Sequence, residues 1–502
     1  MSRAKKLLLN TGTGLLKQLI TVVCGFVLPM YMLLFFGSEV NGLVSSITHY
    51  LSFISLLDMG VGAVVQANLY KPLNDRDDGR ISLICVSSDR FFRRLGLIFS
   101  GYIAVLCVIF PLVIDSSFTR WYSVSLLLII SVSTFVQYLF GMTNQLLLNA
   151  DQKSYVHLIM QIGTIILNTV LSVILMKAGA SVHTVRIVTA SVYLIRPIGQ
   201  AVYIKRHYRI NRKIVLDGEP IKQKWNGFSQ HFAAVVCQNI DIVALSLFSS
   251  LKNVSIYSVY FNVTNGVEQL VFTSATGLES LFGNMIANGE KKELKRLFNS
   301  VEWLFHTGVT IIFTIAGICI VPFVKVYTKG ITDTDYVAPL FGAVLVTAYA
   351  SQCLRVPYFR VIKAAGHFRE TQNGAYISAL LNIVITIVFV FKFGLVGAAV
   401  GTLVAMAYHT CYFVWYLRKH ILERPVAIFV KHTLIDAAVA GASCLATLRF
   451  SFVGDTYGEW ILYALSVSAF VVAISAVFNL IFNFKHVINI FKSIKRRLGS
   501  NR

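Results

Sequence analysis

The chain has 502 residues, of which 56% are hydrophobic and 14% charged, and a formal net charge of +22. A mean hydropathy of +0.68, with apolar runs of about 18 or more residues throughout, excludes a soluble globular or disordered chain and predicts a polytopic helical membrane protein. The charge does not read as a nucleic-acid surface, because the basic residues gather in alternate short loops.

About fourteen spans are predicted in chain order. The first six lie near Leu15–Phe36, Leu43–Leu69, Phe91–Ile114, Val124–Leu148, Tyr155–Met176 and Val182–Ile204. The next six lie near Phe228–Leu251, Ile256–Leu281, Val301–Val326, Ala338–Val361, Ala375–Phe391 and Val396–Leu417. A last pair follows near Ala427–Leu448 and Trp460–Phe482. The first segment is too long for a signal-peptide core and is read as a retained helix. About 34 of the 45 Lys and Arg fall on one side of this layout, so the positive-inside bias places both termini in the cytoplasm. The expected organisation is an N-terminal six-helix lobe over 1–204, a cytoplasmic linker over 205–226 and a second six-helix lobe over 227–418. A further helix pair with a basic tail occupies 419–502.

An internal repeat supports the two lobes. Thr189–His207 aligns without a gap on Thr402–His420, Asn168 matches Asn382, and the Lys177-x-Gly179 turn matches Lys392-x-Gly394. A period this long marks duplicated lobes and not a solenoid. Since the matched helices run the same way, the repeat is parallel. Arg196 then corresponds to His409, at equal depth and with unequal charge.

Ionisable groups inside spans each cost about 2.5–3.5 kcal/mol when they face lipid. Asp58, Arg196, Asp241, Glu268 and Arg355 are therefore expected to face a polar cavity. Polar residues spaced by three and four support one: Ser45, His49, Ser52 and Ser55 in the second span, and Gln161, Thr164 and Asn168 in the fifth. His231, Gln238 and Asp241 make such a stripe in the seventh, and Asn262, Asn265 and Glu268 in the eighth. Arg196, Arg355, Asp58, Asp241, Glu268, His409, Gln238 and Asn265 are the expected substrate-binding residues. No phosphate-binding glycine loop, metal-ligand spacing or catalytic constellation is legible. No cofactor is expected and an enzyme is not. The eight cysteines stand singly and read as reduced packing residues.

Several stretches resemble a known family. They are Phe36-Gly37-Ser38-Glu39-Val40-Asn41-Gly42-Leu43, Leu51-Ser52-Phe53-Ile54-Ser55-Leu56-Leu57-Asp58-Met59-Gly60, Leu69-Tyr70-Lys71-Pro72-Leu73, Asn239-Ile240-Asp241-Ile242-Val243, Tyr257-Ser258-Val259-Tyr260, Ala364-Ala365-Gly366-His367-Phe368, Asn382, and Gly394–Thr402. In order and over nearly the whole chain they are similar to the Wzx-type polysaccharide flippases of the multidrug/oligosaccharidyl-lipid/polysaccharide (MOP) exporter superfamily. The resemblance implies a bacterial cytoplasmic-membrane protein that carries undecaprenyl-diphosphate-linked oligosaccharides to the outer leaflet by alternating access between two lobes. It implies membrane lipids and polysaccharide assembly proteins as partners, with no nucleic acid. Asp58 and Asp241 lie within the matched motifs; Arg196, Glu268 and Arg355 rest on the cost of burying charge. A cation-coupled small-molecule exporter of the same superfamily is the alternative, and a membrane enzyme of polysaccharide assembly stands behind it.

Overall fold

Fourteen helical spans is the number at which the apolar runs and the backbone agree. The computed structural model describes residues 3–57, 61–114, 117–212, 214, 228–448, 450, 452–484, 486 and 488. Most of the expected linker and nearly all of the basic tail lie outside the described residues. Sixteen α-helices are present among the described residues: α1 Arg3–Ser52, α2 Val61–Asp75, α3 Asp78–Val113, α4 Arg120–Val136, α5 Met142–Ala150, α6 Ser154–Lys177, α7 Val182–His207 and α8 Phe228–Phe248. They continue as α9 Leu251–Ser274, α10 Leu278–Ala287, α11 Lys291–Tyr327, α12 Pro339–Leu354, α13 Val356–Ala364, α14 Gln372–Leu417, α15 Ala427–Thr447 and α16 Tyr457–Phe482.

Among the described residues, eleven segments are long and apolar enough to cross a membrane. Two of them, Leu8–Leu56 at 49 residues and Gln372–Leu422 at 51, are far longer than the roughly 20 residues one crossing needs. Each is broken at a glycine with positive φ, Gly37 (φ 81°) and Gly394 (φ 52°), a backbone that only glycine adopts without strain. Counting each twice gives thirteen crossings, and α9 is the fourteenth. Its 24 residues are long enough to cross a bilayer, but Asn262, Asn265, Glu268 and Gln269 lower its hydropathy, so that it is not among the eleven.

The chain divides into two compact units, Met1–Ser258 and Val259–Arg502, with the division inside α9. In the first unit, α8 packs along the second half of α1 through polar pairs: His49 Nδ1 to Asn239 Oδ1 at 2.8 Å and His231 Nε2 to the Ser55 carbonyl at 2.7 Å. Asn41 Nδ2 donates to Ser255 Oγ at 2.8 Å. Gly42 is what lets these elements meet, since a Cβ there would overlap the Leu251 carbonyl.

The repeated stretch is the same object twice. In the first unit α6 and α7 form an antiparallel pair about Gly179 (φ 78°), with Asn168 reaching Tyr193 Oη at 3.5 Å. In the second unit the two arms of α14 form the matching pair about Gly394, with Asn382 Nδ2 donating to Thr402 Oγ1 at 3.2 Å. Cβ atoms at Gly397 and Gly401 would collide with Phe389 and Thr386 of the facing arm, so close approach of the arms depends on both glycines. Each asparagine donates its amide N–H across the pair.

A charged knot closes the basic-loop end of the first unit. Asp151, between α5 and α6, takes Lys153 at 2.7 Å, Lys6 of α1 at 3.2 Å and the Tyr208 hydroxyl at 2.6 Å. Burial alone pushes the Asp151 carboxyl up, but the hydrogen bonds from Lys153 and Tyr208 and the charges of Lys153 and Lys6 outweigh it and hold it below its ordinary value. Its stabilising contribution is therefore complete above about pH 4 and is lost as pH falls through the lower folded value. Asp151→Asn is expected to cost about 2 kcal/mol at pH 7, read as thermal unfolding in detergent. The gap between variant and native protein should close towards pH 3. A gap that persists there would show that the carboxylate is not its cause.

Candidate functional site

The first unit encloses a cavity of about 450 Å³ between α1, α4 and α7. Its wall is rich in hydroxyls, with Thr48, Ser52 and Ser55 from α1 and the turn that follows it. Ser133 and Thr134 come from α4, and Thr189 from α7. Ser52 and Ser55 belong to the stripe that spacing predicts in the second span, because residues three or four apart share a helix face; the hydroxyls of α4 and α7 lie outside the predicted stripes. One ionised group lines the cavity among the described residues: Arg186, which with Thr189 and Tyr193 makes a single face of α7. The Nε of Arg186 is buried and makes no hydrogen bond. An unpaired guanidinium beside a ring of hydroxyls is a standing invitation to an anion.

The expected cation Arg196 sits elsewhere. Its Nε donates to Thr164 Oγ1 of α6 at 2.5 Å, and its guanidinium lies 4.4 Å from the centroid of the Tyr193 ring. Tyr193 also lines the cavity, so Arg196 supports the wall without being part of it. Asp241 is 2% exposed and accepts from Tyr257 Oη at 2.6 Å, away from the cavity. Gln238 is exposed. Asp58 lies outside the described residues.

The second unit brings three of the expected residues together. Glu268 of α9 is 4% exposed and accepts from Gln352 Nε2 of α12 at 2.6 Å. Arg355, three residues on from Gln352, is close enough to act electrostatically on both Glu268 and His409. Arg355 also faces the Phe413 ring at 5.8 Å, and His409 meets the same ring edge-on at 4.5 Å. The Nε2 of His409 is buried and unpaired. Asn265 lies a turn before Glu268 and accepts from Gln269 at 3.4 Å. Glu268, Arg355 and His409 thus form one polar cluster, which their scatter over α9, the α12–α13 junction and α14 hides in the sequence.

A second cavity, of about 740 Å³, runs along α11, α12 and α15 in the same unit. Val309, Phe313, Gly317, Val346, Ala437 and Ala440 give it a mainly apolar wall, broken by two charged groups, Asp436 and Lys325. Sequence reasoning places Arg186 within a span but does not single it out, because it lies only four residues inside α7. Its spacing with Thr189 and Tyr193 is the signal that identifies it.

No protein-family model matches the chain, and no curated protein matches it. Solved structures do. A lipid II flippase MurJ in an inward closed conformation superposes with a TM-score of 0.70 at 14% identity, over 96% of this chain and all of that one. An inward-facing multidrug resistance MATE transporter of the MOP superfamily gives 0.63 at 12%, over 80% of this chain and 95% of the other. A eukaryotic MATE transporter gives 0.55 at 13%, over 87% and 98%. At these identities the likeness is one of backbone: the chain is an all-α, multi-pass membrane protein with the fold shared by lipid flippases and multidrug transporters of the MOP superfamily.

Proposed function

We propose that the chain is a flippase that moves an undecaprenyl-diphosphate-linked oligosaccharide across the bacterial cytoplasmic membrane by alternating access. The observation that carries this reading is the hydroxyl-lined cavity with Arg186 as its charged group. A diphosphate offers an anion to the guanidinium, and sugar hydroxyls exchange hydrogen bonds with Ser52, Ser55, Ser133 and Thr189. The apolar groove along α11, α12 and α15 suits the isoprenoid chain, which gains about 0.8 kcal/mol for each buried CH₂. Lipid II, carried by the flippase whose fold this chain shares, is likewise a lipid-linked substrate.

In this reading the lobes over 1–204 and 227–418 move against each other about the linker, with 419–502 as an appended pair. The His49–Asn239 and Asn41–Ser255 pairs join one lobe to the other and are the contacts that opening must break. Arg355, Glu268 and His409 form the second polar station, with Asn265 a turn away from Glu268, and the Asp241–Tyr257 hydrogen bond ties α8 to the start of α9. Polysaccharide assembly proteins are its partners.

The multidrug exporters that share the fold, together with buried Asp241 and Glu268, favour a second reading as a cation-coupled exporter. The cavity argues against it, because a cationic drug meets a cation there. Expression in a strain lacking its polysaccharide flippase separates the two. Restored surface polysaccharide with unchanged export of cationic dyes supports the flippase; dye export without polysaccharide would overturn it.

A further inference from the structure

α15 and α16 pack on α11 around ionisable groups that neither the headgroup cavity nor the apolar wall of the groove accounts for. His306 of α11 is 2% exposed, and its Nδ1 lies 2.5 Å from Oδ2 of Asp436 on α15. His432, one turn before Asp436 on the same face of α15, places its ring 5.2 Å from that of His306. The remaining ring nitrogen of His306, Nε2, is buried with no hydrogen-bond partner. A pocket of about 10 Å³ adjoins it, walled by Trp303, Thr307, Ser475, Asn479 and Asn483. That is room for roughly one water. Asp436 borders both this pocket and the groove.

We infer that His306, Asp436 and His432 form a proton-binding site linked to occupancy of the groove by an isoprenoid chain. With Asp436 ionised and His306 neutral, Nδ1–H donates to the carboxylate, and the Asp436 end of the groove carries a negative charge that Lys325, the cation lining its far end, is too distant to neutralise. An apolar chain laid over that wall strips the carboxylate of water, which is costly for an uncompensated ion. A proton taken up on Nε2 of His306 converts the pair to imidazolium and carboxylate, with no net charge. Chain and proton therefore bind cooperatively, each raising the affinity of the site for the other by the same factor.

The surrounding charges leave His306 as the acceptor. On α11, Glu302 is held by Arg424, and Lys325 lies nineteen residues away, about 28 Å along the helix. On α15 the facing groups are Lys431, His432 and Asp436. Beyond α16, His486 stacks on Trp303 at 5.4 Å. α16 presents Ser475 and Asn479 to the pocket, which do not titrate, and the phenol Tyr463 to the groove, while α12 brings no ionisable side chain there.

The identity of the groove's occupant rests on the flippase reading, so the probe is chosen to test the site by itself. Uncharged polyprenol binding to the full chain in nanodiscs, followed by tryptophan quenching, should be roughly tenfold tighter at pH 6 than at pH 8. His306→Gln should abolish this dependence. Asp436→Asn should abolish it too and bind at the pH 6 level throughout, which keeps the test decisive if one variant folds poorly. No polyprenol binding, a native affinity flat with pH, or a slope that survives in both variants would overturn the proposal. Polyprenol carries neither sugar nor diphosphate. pH-linked binding in a protein that moves no lipid-linked sugar would therefore sink the flippase reading and leave the proton site standing.

Discussion

Arg424→Ala should destabilise the protein by about 3–5 kcal/mol, the usual consequence of stranding one member of a buried ion pair. Glu302 of α11 is fully buried and Arg424 is 4% exposed. Arg424 Nη2 donates to one carboxylate oxygen of Glu302 and the Tyr358 hydroxyl to the other. The guanidinium also lies over the Phe298 ring, 5.0 Å from its centroid. Arg424 sits in the turn between α14 and α15, next to Glu423, whose φ of 46° marks a sharp change of direction. The pair thus pins the appended helices to α11 and α13. With Arg424 gone, the Glu302 carboxylate keeps only the tyrosine hydroxyl. Glu302→Ala should cost a similar amount, because it leaves the guanidinium unpaired. The double variant Glu302→Gln, Arg424→Leu should recover most of the loss, since Arg424 Nε and Nη1 are already unsatisfied and the pair is not fully compensated. Thermal unfolding followed by size exclusion in detergent reads all four proteins. Single variants within about 1 kcal/mol of the native protein would mean that the pair does not hold the helix pair in place.

Arg186→Gln should have the opposite signature, with transport falling steeply while stability holds or rises. A buried guanidinium without a hydrogen bond at Nε carries an unrecovered solvation cost, so its removal relieves the empty protein. The same change removes the charge that meets the diphosphate, worth about 2–3 kcal/mol, or 30- to 150-fold in affinity. Arg186→Lys should recover part of that loss, since the charge remains but the planar fork does not. Equilibrium binding of undecaprenyl diphosphate to protein in nanodiscs, run beside a melting curve, separates the two effects. Equal losses of binding and stability in Arg186→Gln would make the arginine a structural residue.

Much of the architecture was legible because backbone rules act locally. Gly179 and Gly394 punctuate apolar runs where only glycine tolerates the turn, and Asn168 and Asn382 recur because each closes a helix pair. The fourteen-span count survives even at α9, where polar residues lower the hydropathy of a true span. The site was legible only in part. The stripe of the second span, in α1, predicted part of the polar wall, yet the cost of burying charge singled out Arg196, which the structure satisfies with Thr164 and Tyr193. Arg186 carries the same charge closer to its helix end, and nothing in the sequence sets it apart from the other basic residues within spans. Glu302 with Arg424, and His306 with Asp436, are separated by more than a hundred residues. Nothing in a single sequence pairs groups that meet only when α15 docks.

The central claim is that this chain translocates a lipid-linked sugar, and proteoliposomes test it directly. Fluorescent undecaprenyl-diphosphate-linked oligosaccharide is incorporated in both leaflets, and the fraction reachable by an external glycosidase is followed with time. The purified protein should drive that fraction from about half to nearly all, and the Arg186→Gln variant should leave it near half. A native protein that leaves the inner pool protected, while moving a cationic dye across the same membrane, would contradict the account.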